Sequence, residues 1–226
     1  ARAPRDLHGA RAVYRHVLAQ VMSSAQGKWD RIYSTKIASG DLTIFEIEAN
    51  LALTSAARLL PKKGRALDLA AGLGGDSRFL AEQGLTVDAI DISTVAMDWV
   101  SNQSLQATLP IHANAIDVRS DTLKTNHYDL VHFHHFLDRS LVEAISRSLK
   151  PGGLLIASTF LTPEHLTSEQ RRDLPGPSNP DFRLKNGELP ALFPSLDIIQ
   201  FIETDAEPAL DHGVPPYHGM IIARKP

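Results

Sequence analysis

Short apolar runs alternate with longer amphipathic segments from residue 65 onward, and this alternation constrains the fold more than any other feature of the chain. The apolar runs cover residues 66–70, 86–91, 111–116, 128–133 and 154–160. The amphipathic segments between them cover residues 76–83, 94–104 and 139–149. Strands that alternate with helices form βαβ units, whose sheet is mainly parallel and covered on both faces. We therefore predict an α/β fold with a doubly wound, Rossmann-like sheet.

The two ends of the chain follow different patterns. Residues 9–24 have the apolar spacing of an amphipathic helix that Gly27 ends, and residues 43–59 are predicted to form another helix. The last two apolar runs, residues 196–202 and 218–223, are joined by a proline-containing linker that cannot form a crossover helix. We therefore expect this pair to form a C-terminal antiparallel hairpin.

The length of 226 residues fits one α/β domain with an extension. We divide the chain into an N-terminal helical arm, residues 1–40, and a single domain, residues 41–226. Within the domain, residues 174–194 are rich in proline, glycine and asparagine and form a long loop. Loops of this length in compact domains usually serve function, so we predict a lid that excludes water from the site. Arg183 in this segment is a candidate to bind an anionic substrate.

Composition excludes several classes of protein. The chain has no cysteine, which excludes a disulfide framework, a thiolate zinc site and a cysteine nucleophile. No apolar run reaches the ~18–20 residues that span a bilayer, and we expect a cytoplasmic protein with no membrane partner. Residues 1–36 carry a net charge of +5 and the remainder −8. An acidic main body argues against a nucleic-acid partner.

A glycine-rich turn between the first run and the next helical segment marks a candidate ligand site. Gly72 and Gly74 allow a ligand to approach the backbone, and the following helix offers free N–H groups. The dinucleotide fingerprint G-x-G-x-x-G/A fails here because its third position is Ser77. Asp68 would repel a pyrophosphate but suits an ammonium group. Asp91 follows it by 23 residues, close to the ~20 expected for a ribose-binding carboxylate.

Several segments of the chain resemble the class I S-adenosylmethionine (SAM)-dependent methyltransferases. The matching segments are residues 67–74, 89–93, 128–131 and 149–153, the last of which is Leu-Lys-Pro-Gly-Gly. Residues 29–33, 186–189 and 221–225 are more closely similar to the tellurite-resistance methyltransferases. The chain departs from that group in its long N-terminal arm and in residues 175–180, so the acceptor cannot be carried over.

The resemblance implies the class I methyltransferase fold, SAM as methyl donor and S-adenosylhomocysteine as product. It implies transfer to a small-molecule thiol, carboxylate, hydroxyl, amine or chalcogen oxyanion. The implied cofactor residues, from the methionine end to the adenine and then the sulfonium, are Asp68, Ala70, Gly72, Gly74, Asp91, Ile92, Asp117, Val118, Phe133 and His134. Trp29 and Tyr33 in the N-terminal arm are further candidates, which would close over the cofactor.

Histidines concentrate at the end of the fourth run, at positions 132, 134 and 135. Strand alternation places His132 and His134 on one face and His135 on the other while the strand lasts. His134 and His135 are candidate catalytic residues, because the methyl group must lie near that strand end. His212, in the linker before the last run, is a third candidate. We expect no metal, because no acidic partner is obviously placed beside these histidines.

Two other functions remain open from the sequence. One is a non-catalytic SAM-binding protein, and the other is an NAD(P)-dependent Rossmann oxidoreductase, which Ser77 and Asp68 disfavour. The sequence leaves open a monomer or a homodimer.

Overall fold

The computed structural model describes residues 24–40, 42–118, 123–204 and 215–226. Within them seven strands form one sheet in the order β3-β2-β1-β4-β5-β7-β6. The strands are β1 (Gly64–Leu69), β2 (Leu85–Asp91), β3 (Ile111–Ala115), β4 (Tyr128–His134), β5 (Leu149–Phe160), β6 (Asp197–Thr204) and β7 (His218–Arg224). β1 to β5 pair in parallel, whereas β7 is antiparallel to β5 and β6. The predicted fold class and C-terminal hairpin are therefore confirmed.

The helices cover both faces of this sheet. In the described part of the chain the α-helices are α1 (Ala25–Ala38), α2 (Leu51–Ser55), α3 (Gly75–Glu82), α4 (Thr94–Gln106), α5 (Val142–Ser148) and α6 (Glu188–Leu192). Alternate residues of each strand face opposite layers. Ala66 of β1 packs in a core that includes residues of α2, α3 and α4. Leu67 packs in the opposite core, with residues of α5 and α6. No helix in these described segments is long and apolar enough to cross a bilayer.

The predicted helix over residues 43–59 is wrong. The structure has a short 3-10 helix at Ile44–Glu46, then α2, then a second 3-10 helix at Ala57–Leu59. Asn50 causes the break, because its backbone is extended and its side chain accepts a hydrogen bond from the backbone N–H of Leu53. That is the geometry of a helix N-cap, which starts a new helix in the middle of the predicted one.

Gly27 does not end a helix, and that prediction is also wrong. α1 runs through it, and the Gly27 N–H donates to the side chain of Ser24, the N-cap residue. The N–H groups of the first turn have no acceptor within the helix, so donating to the Ser24 hydroxyl satisfies the Gly27 N–H and stabilises the helix start. The helix predicted over residues 9–24 falls outside the described residues, save for Ser24.

Half of the predicted lid belongs to the core. Leu184 and Leu189 are fully buried, and Leu184 forms an isolated bridge with Leu161 beside the end of β5. Residues 174–182 are, by contrast, largely exposed. The lid stays a prediction, and burial leaves only residues 174–182 exposed enough for it.

α1 packs against the start of α4. The carboxylate of Asp30 accepts hydrogen bonds from the Ser93 hydroxyl at 2.6 Å and from the Val95 N–H at 3.2 Å. Ser93 caps α4, and its hydroxyl accepts a hydrogen bond from the Ala96 N–H. These bonds fix α1 above the turn that follows β2, so that Trp29 and Tyr33 lie beside the ends of the central strands.

Candidate active site

A cavity of about 600 Å³ lies at the carboxyl ends of β1 to β4, under α1. Its size is within the ~300–1,000 Å³ typical of ligand pockets, and its place is where doubly wound sheets bind their ligands. The predicted residues that line it are Trp29, Tyr33, Ala70, Gly72, Asp91, Ile92, Asp117, Val118, His134 and His135. The fold thus brings together residues from five separate segments of the sequence.

Three predicted cofactor residues lie outside the cavity wall. Gly74 begins α3 with its backbone in the left-handed region. Phe133 is buried in the core on one face of the sheet. Asp68 is buried behind the wall, 2% exposed, and accepts a hydrogen bond of 2.5 Å from the Ser77 hydroxyl. Ser77, which breaks the dinucleotide fingerprint, is therefore the partner of this carboxyl group. His212 lies outside the described residues.

Asp91 is held in the cavity wall by backbone hydrogen bonds. Its Oδ2 accepts from the Gly72 N–H at 3.0 Å, and its Oδ1 accepts from the Ser93 N–H at 2.9 Å. Burial raises the pKa of this carboxyl group, while the bonds from Ser93 and Gly72 oppose that rise. Each oxygen of a carboxylate accepts more than one hydrogen bond, so both retain a lone pair for a ligand. Asp91 is thus a rigid acceptor for two hydroxyl groups.

The turn after β1 lies very close to α1. Ala70 and Gly72 both have positive φ, at 60° and 54°. A Cβ atom added at Gly72 would lie 2.9 Å from the hydroxyl oxygen of Tyr33. A glycine at this position therefore keeps space open between the turn and the Tyr33 ring. This ring stacks with that of Trp29 at a centroid distance of 5.8 Å.

Asp76 is a cavity residue that the sequence reasoning missed. Its Oδ1 accepts from the Asn50 N–H at 2.7 Å, and its Oδ2 accepts from the Asn50 side-chain amide at 2.9 Å. Nε2 of the fully buried His132 lies 3.0 Å from the same Oδ2. Burial alone would raise the pKa of Asp76, but the charge and hydrogen bond of His132, with the bonds from Asn50, outweigh burial and lower it. The side chain is therefore an ionised carboxylate in the cavity wall.

Asp68, Asp76 and His132 form a buried cluster whose ligand atoms lie within 4.8 Å of one another. Such a set has the composition of a metal site. Each member already has a hydrogen-bond partner, however, since Ser77 bonds Asp68 and the other two bond each other. Burial raises the pKa of Asp68 to about 7. In this structure the three residues form a hydrogen-bond network. The absence of a metal stays a prediction, but its premise is wrong, because the carboxylate of Asp76 lies beside His132.

The charge of the cavity suits a cationic ligand. Asp76, Asp91 and Asp117 line it, whereas Lys36 is the one lysine or arginine among its described lining residues. Asp76 also occupies the first turn of α3, the position where a phosphate would otherwise bind the helix N-terminus. These carboxylates disfavour a pyrophosphate and fit a nucleoside with a positively charged tail.

The histidines at the end of β4 form a stack rather than alternating across the strand. β4 ends at His134, and His135 has a positive φ of 55°, which turns its ring back over His134. The two ring centroids are 3.6 Å apart, and His135 stacks on Phe160 at 4.2 Å. Burial, and then the neighbouring histidines, lowers the pKa of His134 to about 3 and that of His135 to about 4. Both rings are therefore neutral at pH 7.

Arg183 is bonded to the chain rather than free for a substrate. Its guanidinium donates to the Thr162 hydroxyl and to the carbonyl oxygens of Leu161 and Pro175, all within 2.8 Å. The side chain is buried, with 6% of the residue exposed. The structure favours a role in anchoring residues 174–182 over the predicted contact with an anion.

Arg183→Met is expected to lower the free energy of unfolding by about 2 kcal/mol, because it leaves the buried carbonyl oxygen of Leu161 without its donor. Residues 174–182 should also become more sensitive to protease. Urea unfolding and limited proteolysis measure the two effects. Arg172→Met, at an exposed position in the same segment, is the matched control. Equal behaviour of the two variants would contradict the anchoring role.

The chain is similar to known proteins both in sequence and in fold. Residues 66–153 match a family described as a methyltransferase domain. Comparison with curated protein sequences finds no match. Among solved structures the chain is similar to TehB from Haemophilus influenzae, with a TM-score of 0.63, 17% identity, and coverage of 88% of this chain and 67% of that one.

Two further structures have the same fold. Phosphoethanolamine N-methyltransferase 2 from Haemonchus contortus, in complex with S-adenosyl-L-methionine, has a TM-score of 0.64 and 16% identity, covering 77% of this chain and 52% of that one. The [4+2]-cyclase SpnF has a TM-score of 0.66 and 16% identity, covering 89% and 94%. At these identities the similarity establishes the fold.

Proposed function

We propose, from the match of residues 66–153 to a methyltransferase domain, that the chain transfers a methyl group from SAM to a small-molecule nucleophile. The observation that supports the proposal best is the environment of Asp91. Its carboxylate is fixed by the N–H groups of Gly72 and Ser93 at the end of β2, in a cavity with an acidic wall. That combination suits the ribose of a nucleoside whose tail is cationic.

The cavity residues fit the parts of SAM. Asp91 accepts the ribose hydroxyls, and Ile92 and Val118 offer apolar surface to the adenine, which Asp117 bonds. Asp76 supplies a negative charge to the cationic tail. Trp29 and Tyr33 on α1 cover the cavity and exclude water from it.

When bound, SAM supplies a methyl carbon that its sulfonium already activates. The protein's task is therefore to position the acceptor against this carbon and to exclude water. His134 and His135 line the cavity as neutral imidazoles, which suits contact with the acceptor. Neutral imidazoles do not repel the positive charge of a sulfonium. We propose that the acceptor binds beside them.

A non-catalytic SAM-binding protein is the second candidate. It would use the same cavity and the same acidic wall, and it would differ from the enzyme only in transferring no methyl group. An NAD(P)-dependent oxidoreductase is disfavoured by the carboxylates in the cavity wall. Formation of S-adenosylhomocysteine with any acceptor would establish methyl transfer and exclude the non-catalytic SAM-binding protein.

Gly72→Ala is expected to weaken SAM binding at least about tenfold in calorimetry, because the added Cβ would lie 2.9 Å from the Tyr33 hydroxyl and would displace the Tyr33 side chain in the cavity wall. Gly152→Ala is the matched control. Gly152 also has a positive φ, of 77°, but a Cβ there would meet nothing within 4 Å. Both variants should lose about 1 kcal/mol of stability from backbone strain, and only the first should lose affinity.

Two results would count against the proposal. Absence of SAM and S-adenosylhomocysteine binding to the wild-type protein would remove it, and saturable binding of NADH would favour the oxidoreductase. Equal SAM affinity of the two glycine variants would show that the ligand binds elsewhere.

We propose that residues 1–40 act as a capping arm on a domain formed by residues 41–226. We also propose that the protein acts in the cytoplasm, as a monomer or homodimer, without a nucleic-acid partner.

A further inference from the structure

His135 and His218 form a hydrogen-bonded pair that the function above does not use. His218 begins β7, and the sequence reasoning treated it only as the start of a strand. Nε2 of His135 lies 2.9 Å from Nε2 of His218. Nδ1 of His218 lies 2.7 Å from the carbonyl oxygen of Pro216. The two rings thus connect the cavity to the backbone before β7.

The contact with Pro216 determines which nitrogen atoms carry protons. A carbonyl oxygen only accepts, so Nδ1 of His218 must carry a proton and donate it. Nε2 of the neutral His218 ring is then an acceptor, and Nε2–H of His135 donates to it. Nδ1 of His135 therefore keeps its lone pair. Among the hydrogen bonds of the described residues none involves this atom.

Charged and titratable groups surround His135 on each side. His134 stacks on it from β4, and His218 contacts it from β7. Asp76 acts on it from α3, and Arg183 lies 5.6 Å from the centroid of the Phe160 ring on which His135 stacks. Burial and the charge of His218 lower the pKa of His135, which outweighs the opposing effect of Asp76. Burial also lowers the pKa of His218. Both rings are therefore neutral at pH 7, as the tautomer argument requires.

We propose that His218 is a positioning residue that holds His135 with its Nδ1 lone pair available, and that His135 takes the proton of an acceptor that carries one, such as a hydroxyl or thiol. This inference rests on the proposed methyl transfer and adds its acceptor class. It selects among the acceptors that the resemblance leaves open.

The step balances in atoms and electrons. A lone pair of the acceptor atom forms the bond to the methyl carbon, while the methyl–sulfur bond breaks and its electron pair stays on sulfur. The acceptor's proton passes to Nδ1 of His135, whose Nε2–H remains bonded to His218. A hydroxyl or thiol becomes strongly acidic as it gains the methyl group, so an imidazole of low pKa suffices as the base.

The charges of the cavity favour an acceptor with a hydroxyl or thiol group over an anionic acceptor. A carboxylate or chalcogen oxyanion needs a cationic partner when it is taken out of water. Of the described lining residues only Lys36 is a lysine or arginine, and the predicted candidate, Arg183, is bonded to the chain. The wall beside His134 and His135 offers neutral rings instead.

Long-range ¹H–¹⁵N spectra of the imidazole rings test the arrangement without any acceptor. We expect both rings to be neutral at pH 7, with the proton on Nε2 of His135 and on Nδ1 of His218. His135→Asn and His218→Gln assign the signals, and asparagine tolerates the positive φ of His135. A protonated His135 at pH 7, or one with its proton on Nδ1, would overturn the proposal.

Turnover provides the second test, with phenol and 2-mercaptoethanol as proton-bearing probes and benzoate and tellurite as anionic ones. We expect S-adenosylhomocysteine to form with the first pair and His135→Asn to lower kcat about 100-fold. Turnover with benzoate or tellurite alone would overturn the role of His135 as a base but would still support the proposed methyl transfer.

His218→Leu separates positioning from a structural role. It should lower kcat about tenfold without changing the affinity for SAM, whereas His218→Gln, whose amide oxygen still accepts from His135, should stay within about threefold of the wild type. When kcat/KM of the wild type is measured against pH, its fall on the acid side should have a midpoint below pH 5, because His135 has a pKa of about 4. A midpoint near 6.5, or equal loss in both variants, would contradict the assignment.

Discussion

Asp91→Asn is expected to weaken SAM binding at least about 100-fold in calorimetry. Two hydrogen bonds from ribose hydroxyls to a carboxylate contribute about 1.5–3 kcal/mol each, and each 1.4 kcal/mol is a factor of ten. The amide also cannot keep both backbone bonds. Oδ1 and Oδ2 accept from Ser93 and Gly72, so one N–H would face the new NH₂ group. The wall would therefore distort as well as lose its charge.

Asp88→Asn is the matched control for this substitution. Asp88 lies three residues earlier on β2 and does not line the cavity. Its carboxylate faces Arg65 at 3.6 Å instead. The control should bind SAM as the wild type does, and circular dichroism should show that both variants are folded. An Asp91→Asn protein that binds SAM within threefold of the wild type would refute the ribose assignment.

The sheet could be predicted from the sequence because each strand is a short apolar run with helical segments beside it. β2 and β3 begin and end within one residue of the prediction. Residues 43–59 were predicted wrongly because Ile44, Ile47 and Leu51 have the i, i+3, i+7 spacing of a helix without lying in one helix. Only the local competition of the Asn50 side chain for the Leu53 N–H divides them.

The residues of the candidate site also fall into those that the sequence predicts and those that it does not. Asp91 could be predicted because its distance along the chain from the glycine turn is fixed by the βαβ unit. Asp76 and His218 could not, because their roles depend on contacts across 56 and 83 residues, with His132 and His135 respectively. The segment that begins at residue 174 shows a third case. Its composition indicates a loop, but composition carries no information on the burial of Leu184 and Arg183.

The pair formed by Asp76 and His132 should contribute the largest single stabilisation in the site. Asp76→Ala is expected to lower the free energy of unfolding by about 3 kcal/mol, because it leaves a fully buried imidazole without its carboxylate. It also removes the acceptor of both Asn50 donors, which starts α2. Urea unfolding at pH 6 measures the loss.

Adding His132→Leu to this variant should cost less than the sum of the two single losses. The second substitution removes the ring that the first leaves unpaired. Strict additivity would mean that the two side chains do not interact. Asp98→Ala, at an exposed position on α4, is the control and should change stability by no more than about 0.5 kcal/mol.

The pH dependence of the Asp76→Ala loss follows from the two pKa shifts. The pKa of Asp76 is lowered in the folded protein, so its contribution is present above the unfolded value of about 4 and is lost as the pH falls. Burial lowers the pKa of His132, but the charges of Asp76 and Asp68 and the hydrogen bonds to Asp76 and Ile156 together outweigh burial and raise it. Its contribution is therefore complete below about 6.5 and is lost as the pH rises through the raised value. The loss should be largest between about pH 4 and 6.5 and smaller at pH 9, and a loss that grows from pH 6 to pH 9 would show that the pair is not ionised in the folded protein.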